Sequence, residues 1–180
     1  MLPACALAFP LAAHQYQKSH PSSAGRIVNP ETPPLTMEQE GGGAASPFFP
    51  SSAKTNVGGI IPANFFMDSE ACGECHKDAY EQWKGSMHHF ASFNNQFYRK
   101  SIEYMQDTVG TKPSKWCAGC HDPVPFFSGA FDDPKFDLVN HSTAQAGITC
   151  TVCHAITHVN STKGNADYTI EEPQHYPFAF

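Results

Sequence analysis

Six of the seven cysteines in this 180-residue chain fall into three Cys-x-x-Cys pairs, and a histidine follows each pair directly. The sequences are CGECH at 72–76, CAGCH at 117–121 and CTVCH at 150–154. Two thiols at this spacing lie about one helical turn apart. They can add to the two vinyl groups of one haem, and the adjacent His can bind the iron from one side. Cys72, Cys75, Cys117, Cys120, Cys150 and Cys153 are therefore read as attachment residues. His76, His121 and His154 are read as proximal iron ligands. The expected cofactor is haem c, three copies covalently attached. Composition alone would place about 0.015 such motifs in a chain of this size, so three are not an accident. Zinc sites would explain the paired thiols but not a His after every pair. A thioredoxin-like dithiol wants a surrounding βαβ pattern, and no motif has one.

Each iron then needs a sixth ligand or an open position. His88, His89, His141, His158 and His175 lie near the motifs, whereas His14 and His20 lie in the N-terminal tail. The candidate distal ligands are His88, His141, His175 and His158, with Met67, Met87 and Met105 as rivals that would raise the potential. His88 leads, twelve residues after His76. On one continuous helix that separation is ~18 Å at about 1.5 Å per residue. Two imidazoles on one iron, with metal–nitrogen bonds of about 2 Å, want Cα atoms nearer ~12 Å. His88 is thus expected to serve a different haem from His76, unless the helix breaks at Gly85. On a helix, His158 would face the same way as His154 and could not share its iron. His141 sits in a loose Ser/Ala/Gly segment that can reach a neighbouring haem. His175 lies between Gln174 and Tyr176.

Helical character runs from Ser69, a candidate N-cap, to Lys84. A second helix is expected over Phe93–Asp107, with apolar positions at Phe93, Phe97, Ile102 and Met105. The remainder reads as loops and turns, without a period-2 strand series. Tyr80 and Trp83 share a helix face, and Phe126, Phe127 and Phe131 follow the second motif. Packing against porphyrin is the favoured reading for these aromatics. Residues 1–13 read as a signal-peptide remnant, and 14–60 as a Pro/Gly/Ser-rich disordered linker. Residues 61–180 read as a three-haem domain, truncated at its C-terminus. The expected fold is mainly α with extensive irregular loops and little or no β. Leu, Ile and Val are sparse beside 14 Phe, so haem is expected to organise the core.

Eleven basic against 17 acidic residues give a net charge of −6, with no basic stripe for nucleic acid. No apolar run reaches the roughly 18 residues of a transmembrane helix. Haem attachment to thiols takes place outside the bacterial cytoplasm, so a periplasmic or otherwise extracytoplasmic location is expected. An acidic chain carrying haem propionates should dock onto the basic face of a redox partner protein, more weakly at high salt. Assembly with other cytochrome subunits is a further expectation.

The run CGECHKDAYEQWKGSMHHFAS resembles the first haem region of multihaem cytochromes c of the cytochrome c-552/4 type. There a Cys-x-x-Cys-His helix leads through Tyr and Trp to a Ser-x-His element, here Tyr80, Trp83, Ser86 and His88. The resemblance implies that His88, and not His89, is a distal ligand. AGITCTVCHAI is similar to the family's later haem region, where a Gly-hydrophobic-Thr-Cys stretch opens the motif. The resemblance covers roughly Ser69 to Phe180. Members usually carry four or more haems, and three motifs with the apolar ending HYPFAF suggest a fragment of a longer protein. Two functions are compatible with these residues. One is electron transfer through closely spaced bis-His haems. The other is an oxidoreductase acting on a small nitrogen or sulfur compound at one open-site haem.

Overall fold

A computed structural model describes residues 43–161 and 164–171. The expected disordered segment up to residue 42, the signal-like residues 1–13 and His175 lie outside the described residues. The fold is helix-dominated with one small sheet. In chain order the regular elements are β1 (Lys54–Thr55), α1 (Ser69–Gly73), α2 (Lys77–Lys84), α3 (Gln96–Val109), α4 (Thr111–His121), α5 (Pro123–Phe127), α6 (Cys150–His154), β2 (Ile156–Val159) and β3 (Tyr168–Ile170). The sheet order is β1-β3-β2, with β1 parallel and β2 antiparallel to β3. Strands of two to four residues are too short to leave a period-2 signal in sequence.

The helix expected from Ser69 to Lys84 is two helices. The chain leaves α1 after Gly73, and His76, with φ −107° and ψ 54°, starts α2 as its N-cap. The N-cap of α1 is Asp68, whose carboxylate accepts the Glu70 N–H at 3.0 Å. Ser69, the expected cap, is buried and bonds elsewhere. Asn95 caps α3 by accepting from Phe97 and Tyr98 N–H, so that helix begins three residues later than expected. Within it Ile102 is buried, but Phe97 faces solvent at 79% exposure. α4 and α5 occupy a stretch read as loop. Pro113 in the first turn of α4 and Pro123 at the first position of α5 mimic loop composition, yet neither removes a needed helical hydrogen bond there.

The core is aromatic. Phe48 lies with its ring centroid 5.2 Å from both Phe126 and Phe127, and Phe93 stacks 6.2 Å from Phe131. Phe126, Phe127 and Phe131 are buried by protein atoms, so they are not the porphyrin-facing surface expected of them. Residues 43–60, read as linker, join the same body. Phe48 and Ala53 are buried in its core, β1 pairs with β3, and the buried Lys115 ammonium on α4 donates to the Pro47 carbonyl and to Asp132 at 2.7 Å. Two apolar side chains set among Ser and Pro were enough to fold a segment whose average composition is that of a linker.

Candidate haem-attachment sites

Each motif wraps one turn of helix, and the three turns look alike. The Cys75 and His76 N–H groups bond to the Cys72 carbonyl at 3.3 and 2.9 Å, continuing the turn past α1. The second motif is the last turn of α4, and the third is the whole of α6. In every motif the first cysteine is half-buried, while the second cysteine and the histidine are exposed. All six thiols are free. Burial pushes the Cys72, Cys117 and Cys153 thiols above their ordinary value. A dithiol redox catalyst needs the opposite shift. Thiols one turn apart with a neighbouring imidazole fit a covalently held haem.

The first and third motifs meet. Ser69 Oγ accepts the Cys150 N–H at 3.2 Å, and Thr151 Oγ1 accepts the Met67 N–H at 3.2 Å. The Cys72 thiol is near enough to Cys150 for that neighbour, after burial, to help raise its pKa. A second seam runs along the residues leading into α6. Trp83 Nε1 donates to the Ile148 carbonyl at 2.7 Å, and Ile148 N–H donates to the His88 carbonyl at 2.9 Å. Gly147, at φ +65°, lies so close that a Cβ there would come within 2.5 Å of the His89 carbonyl oxygen and 2.7 Å of that of His88. The Gly-Ile-Thr-Cys stretch thus has a physical reason. Gly147 permits the approach, Ile148 makes the bonds, and Thr149 caps α6 by accepting from Val152 N–H.

Tyr168 on β3 links the second motif to β2, the strand that follows the third motif. Its hydroxyl donates to the Gly119 carbonyl, inside the second motif, at 2.7 Å. Burial and the nearby Cys120 and Cys153 thiols raise its pKa. Gly119 is itself required, because a Cβ there would lie 2.6 Å from Ser51 Oγ.

Around the second motif the imidazole is already held. His121 Nδ1 lies 2.7 Å from the Ala91 carbonyl, which leaves Nε2 with its lone pair open to a metal when Nδ1 carries the proton. The Tyr98 ring stacks on His121 at 4.4 Å and 15°. Asp122, fully buried, accepts from Tyr98 OH and Ser92 Oγ. Burial pushes its carboxyl up to about 7, while those two bonds pull the other way. Sequence periodicity gave no sign of this cage, because Tyr98 and His121 are brought together by packing of α3 on α4.

The distal candidates divide. α2 ends at Lys84 with Gly85 as its C-cap, so the single-helix distance separating His88 from the His76 iron does not apply. His88 is exposed, and its backbone is tied two residues ahead of Cys150. His89 has another task. Its Nδ1 bonds the Lys84 carbonyl at 2.9 Å, closing the C-terminus of α2, and its ring packs on Trp83 at 4.6 Å. His141 Nδ1 faces Thr143 Oγ1 at 2.9 Å. His158 is on β2, not on a helix with His154, so helical spacing does not set the two on one face. Among the described residues no three Cys, His, Asp or Glu side chains converge as a metal centre would need. A half-open cavity of about 550 Å³ lies beside Tyr80, Trp83 and His89, bordered by Ser69 and Thr149 from the first and third sites.

Free paired thiols with a following imidazole, presented alike on three helical turns, fit the attachment chemistry of a c-type cytochrome. Residues 71–155 match the family model for cytochrome c554 and c-prime, a stretch that contains all three motifs. The match makes this segment similar to the cytochrome c family, in which haem c is covalently bound and carries electrons. No curated protein and no solved structure matches the chain. Among the described residues no helix is long and apolar enough to cross a membrane.

Proposed function

We propose that the chain holds three haems c and relays electrons between them in an extracytoplasmic compartment. The observation that carries this reading is that the three motifs adjoin through protein. The first adjoins the third through the Ser69–Cys150 and Met67–Thr151 hydrogen bonds, and β2, which follows the third, pairs with β3, whose Tyr168 bonds Gly119 of the second. The third motif is then the middle of the relay. Bound haem supplies a one-electron ferric–ferrous couple. The chain's residues do the rest: the cysteines anchor each ring as thioethers, and His76, His121 and His154 bind from the proximal side. His88 is the first distal ligand, with His141, His158 and His175 for the other irons. His89 is left to close α2. A capped iron binds no substrate, which suits a carrier. The multihaem cytochrome c-552/4 type and docking on redox partner proteins belong to the same proposal. The second reading is an open-site haem acting on a small nitrogen or sulfur compound.

The mass of the mature protein under denaturing conditions is expected to show three haems, one on each cysteine pair. Fewer would overturn the count. The oxidised protein is expected to give only low-spin electron paramagnetic resonance signals. A high-spin signal shifted by nitrite or hydroxylamine would favour the enzyme instead. His88→Ala should turn one low-spin haem high-spin, whereas His89→Ala should keep all signals low-spin. The reverse pattern would transfer the ligand role to His89.

A further inference from the structure

We propose that Tyr98 is a positioning residue for the second haem: it fixes the plane of the His121 imidazole. The inference rests on the reading of His121 as a proximal ligand. Two contacts restrain the ring. The Ala91 carbonyl holds Nδ1 at 2.7 Å, which fixes one edge but allows the ring to tilt about that bond. Tyr98 removes the tilt, lying 4.4 Å away and within 15° of parallel. Tyr98 is in turn fixed from behind. The fully buried Phe93 stacks on it at 5.5 Å and 30°, so core, Tyr98 and His121 form one pile of rings.

The phenol end is pinned as well. Its hydroxyl donates to Asp122, the residue after His121, and Asp122 is anchored to Ser92, whose Oγ also bonds the Ala144 carbonyl at 2.9 Å. The backbone of Tyr98 is tied to the Asn95 cap at the start of α3. Both ends of the ring are therefore tied, and its plane is stacked with the core Phe93 and with the His121 imidazole. Among the described residues neither His76 nor His154 carries a stacked ring, so the second site alone is held in this way. The plane of an axial imidazole relative to the porphyrin orients the iron d-orbitals. Outer-shell partners of this kind set ligand orientation in metal sites generally.

The test compares Tyr98→Phe with Tyr98→Met. Phenylalanine keeps the stacking face and loses the hydroxyl. Methionine fills the space without a plane. Tyr98→Met is expected to shift or broaden the g-values of one low-spin signal and leave the other two haems unchanged, with all three haems still attached by mass. Tyr98→Phe should retain the wild-type g-values. Unchanged g-values in Tyr98→Met, or an equal shift in both variants, would overturn the proposal. In the wild-type, reduced protein, nuclear Overhauser contacts between the Tyr98 and His121 rings are expected. Their absence would also overturn it, whether or not the methionine variant folds. Absence of haem on Cys117 and Cys120 by mass is a separate result. It would refute the ligand reading itself, before Tyr98 comes into question.

Discussion

Replacing Gly147 by alanine should lower stability by about 3 kcal/mol and disturb the third Cys-x-x-Cys-His turn. Two costs combine. A residue with a Cβ at positive φ is strained by about 1–2 kcal/mol. Beyond that, the new Cβ would lie 2.5 Å from one backbone carbonyl oxygen and 2.7 Å from another, those of His89 and His88. Neither is the end of a flexible side chain, so the two backbones must separate. Separation stretches the Ile148-to-His88 bond and the bond from Trp83 Nε1 to Ile148, both of which tie the His88 segment to α6. Gly58 is the control. It has φ +73° and nothing within 4 Å of the place a Cβ would take, so Gly58→Ala should cost the strain alone. Thermal melts of the two variants measure the difference. Equal losses would mean that the close approach at Gly147 contributes nothing.

Asp122→Ala is expected to cost about 2–4 kcal/mol, while Asp122→Asn should cost under about 1 kcal/mol, from the desolvation of unpartnered buried polar groups. The reason is a proton count. Alanine removes both oxygens: the Tyr98 hydroxyl loses its acceptor beside a buried cavity, and Ser92 keeps only the Ala144 carbonyl. Asparagine satisfies both. Its Oδ1 accepts from Tyr98, and its Nδ2 donates to Ser92 Oγ, which can then donate to the Ala144 carbonyl. Chemical denaturation of the three proteins orders them. A large loss in the asparagine variant would show that the negative charge, and not the hydrogen-bond pattern, is what the site requires.

The chemistry of this chain was legible because it is local. Five consecutive residues make each haem motif, and one helical turn is all the geometry it needs. The packing was less legible wherever composition and context disagree. Pro113 and Pro123 suggested loop where first-turn positions accept proline. Phe48 and Ala53 were hidden in a stretch that averages to linker. Phe126, Phe127 and Phe131 were read toward porphyrin, yet they pack against one another and against Phe48, Phe93 and Phe136. The His88 distance assumed an unbroken helix, and Gly85 ends it. Ser69 looked like a cap because caps are serine-rich, but its hydroxyl is used 81 positions away, at Cys150. No periodicity encodes a partner at that distance.

That last contact has a kinetic meaning. The bonds from Ser69 to Cys150 and from Met67 to Thr151 close loops of 81 and 84 residues. Bringing such ends together costs about 4 kcal/mol in chain entropy beyond a constant, whereas forming any single motif closes almost no loop. The turns that carry the thiols can therefore form early and independently, and the junction between the first and third must form late. Until it does, each motif is a separate helical turn with its second cysteine and histidine turned outward. The three turns come to adjoin only when that late junction closes.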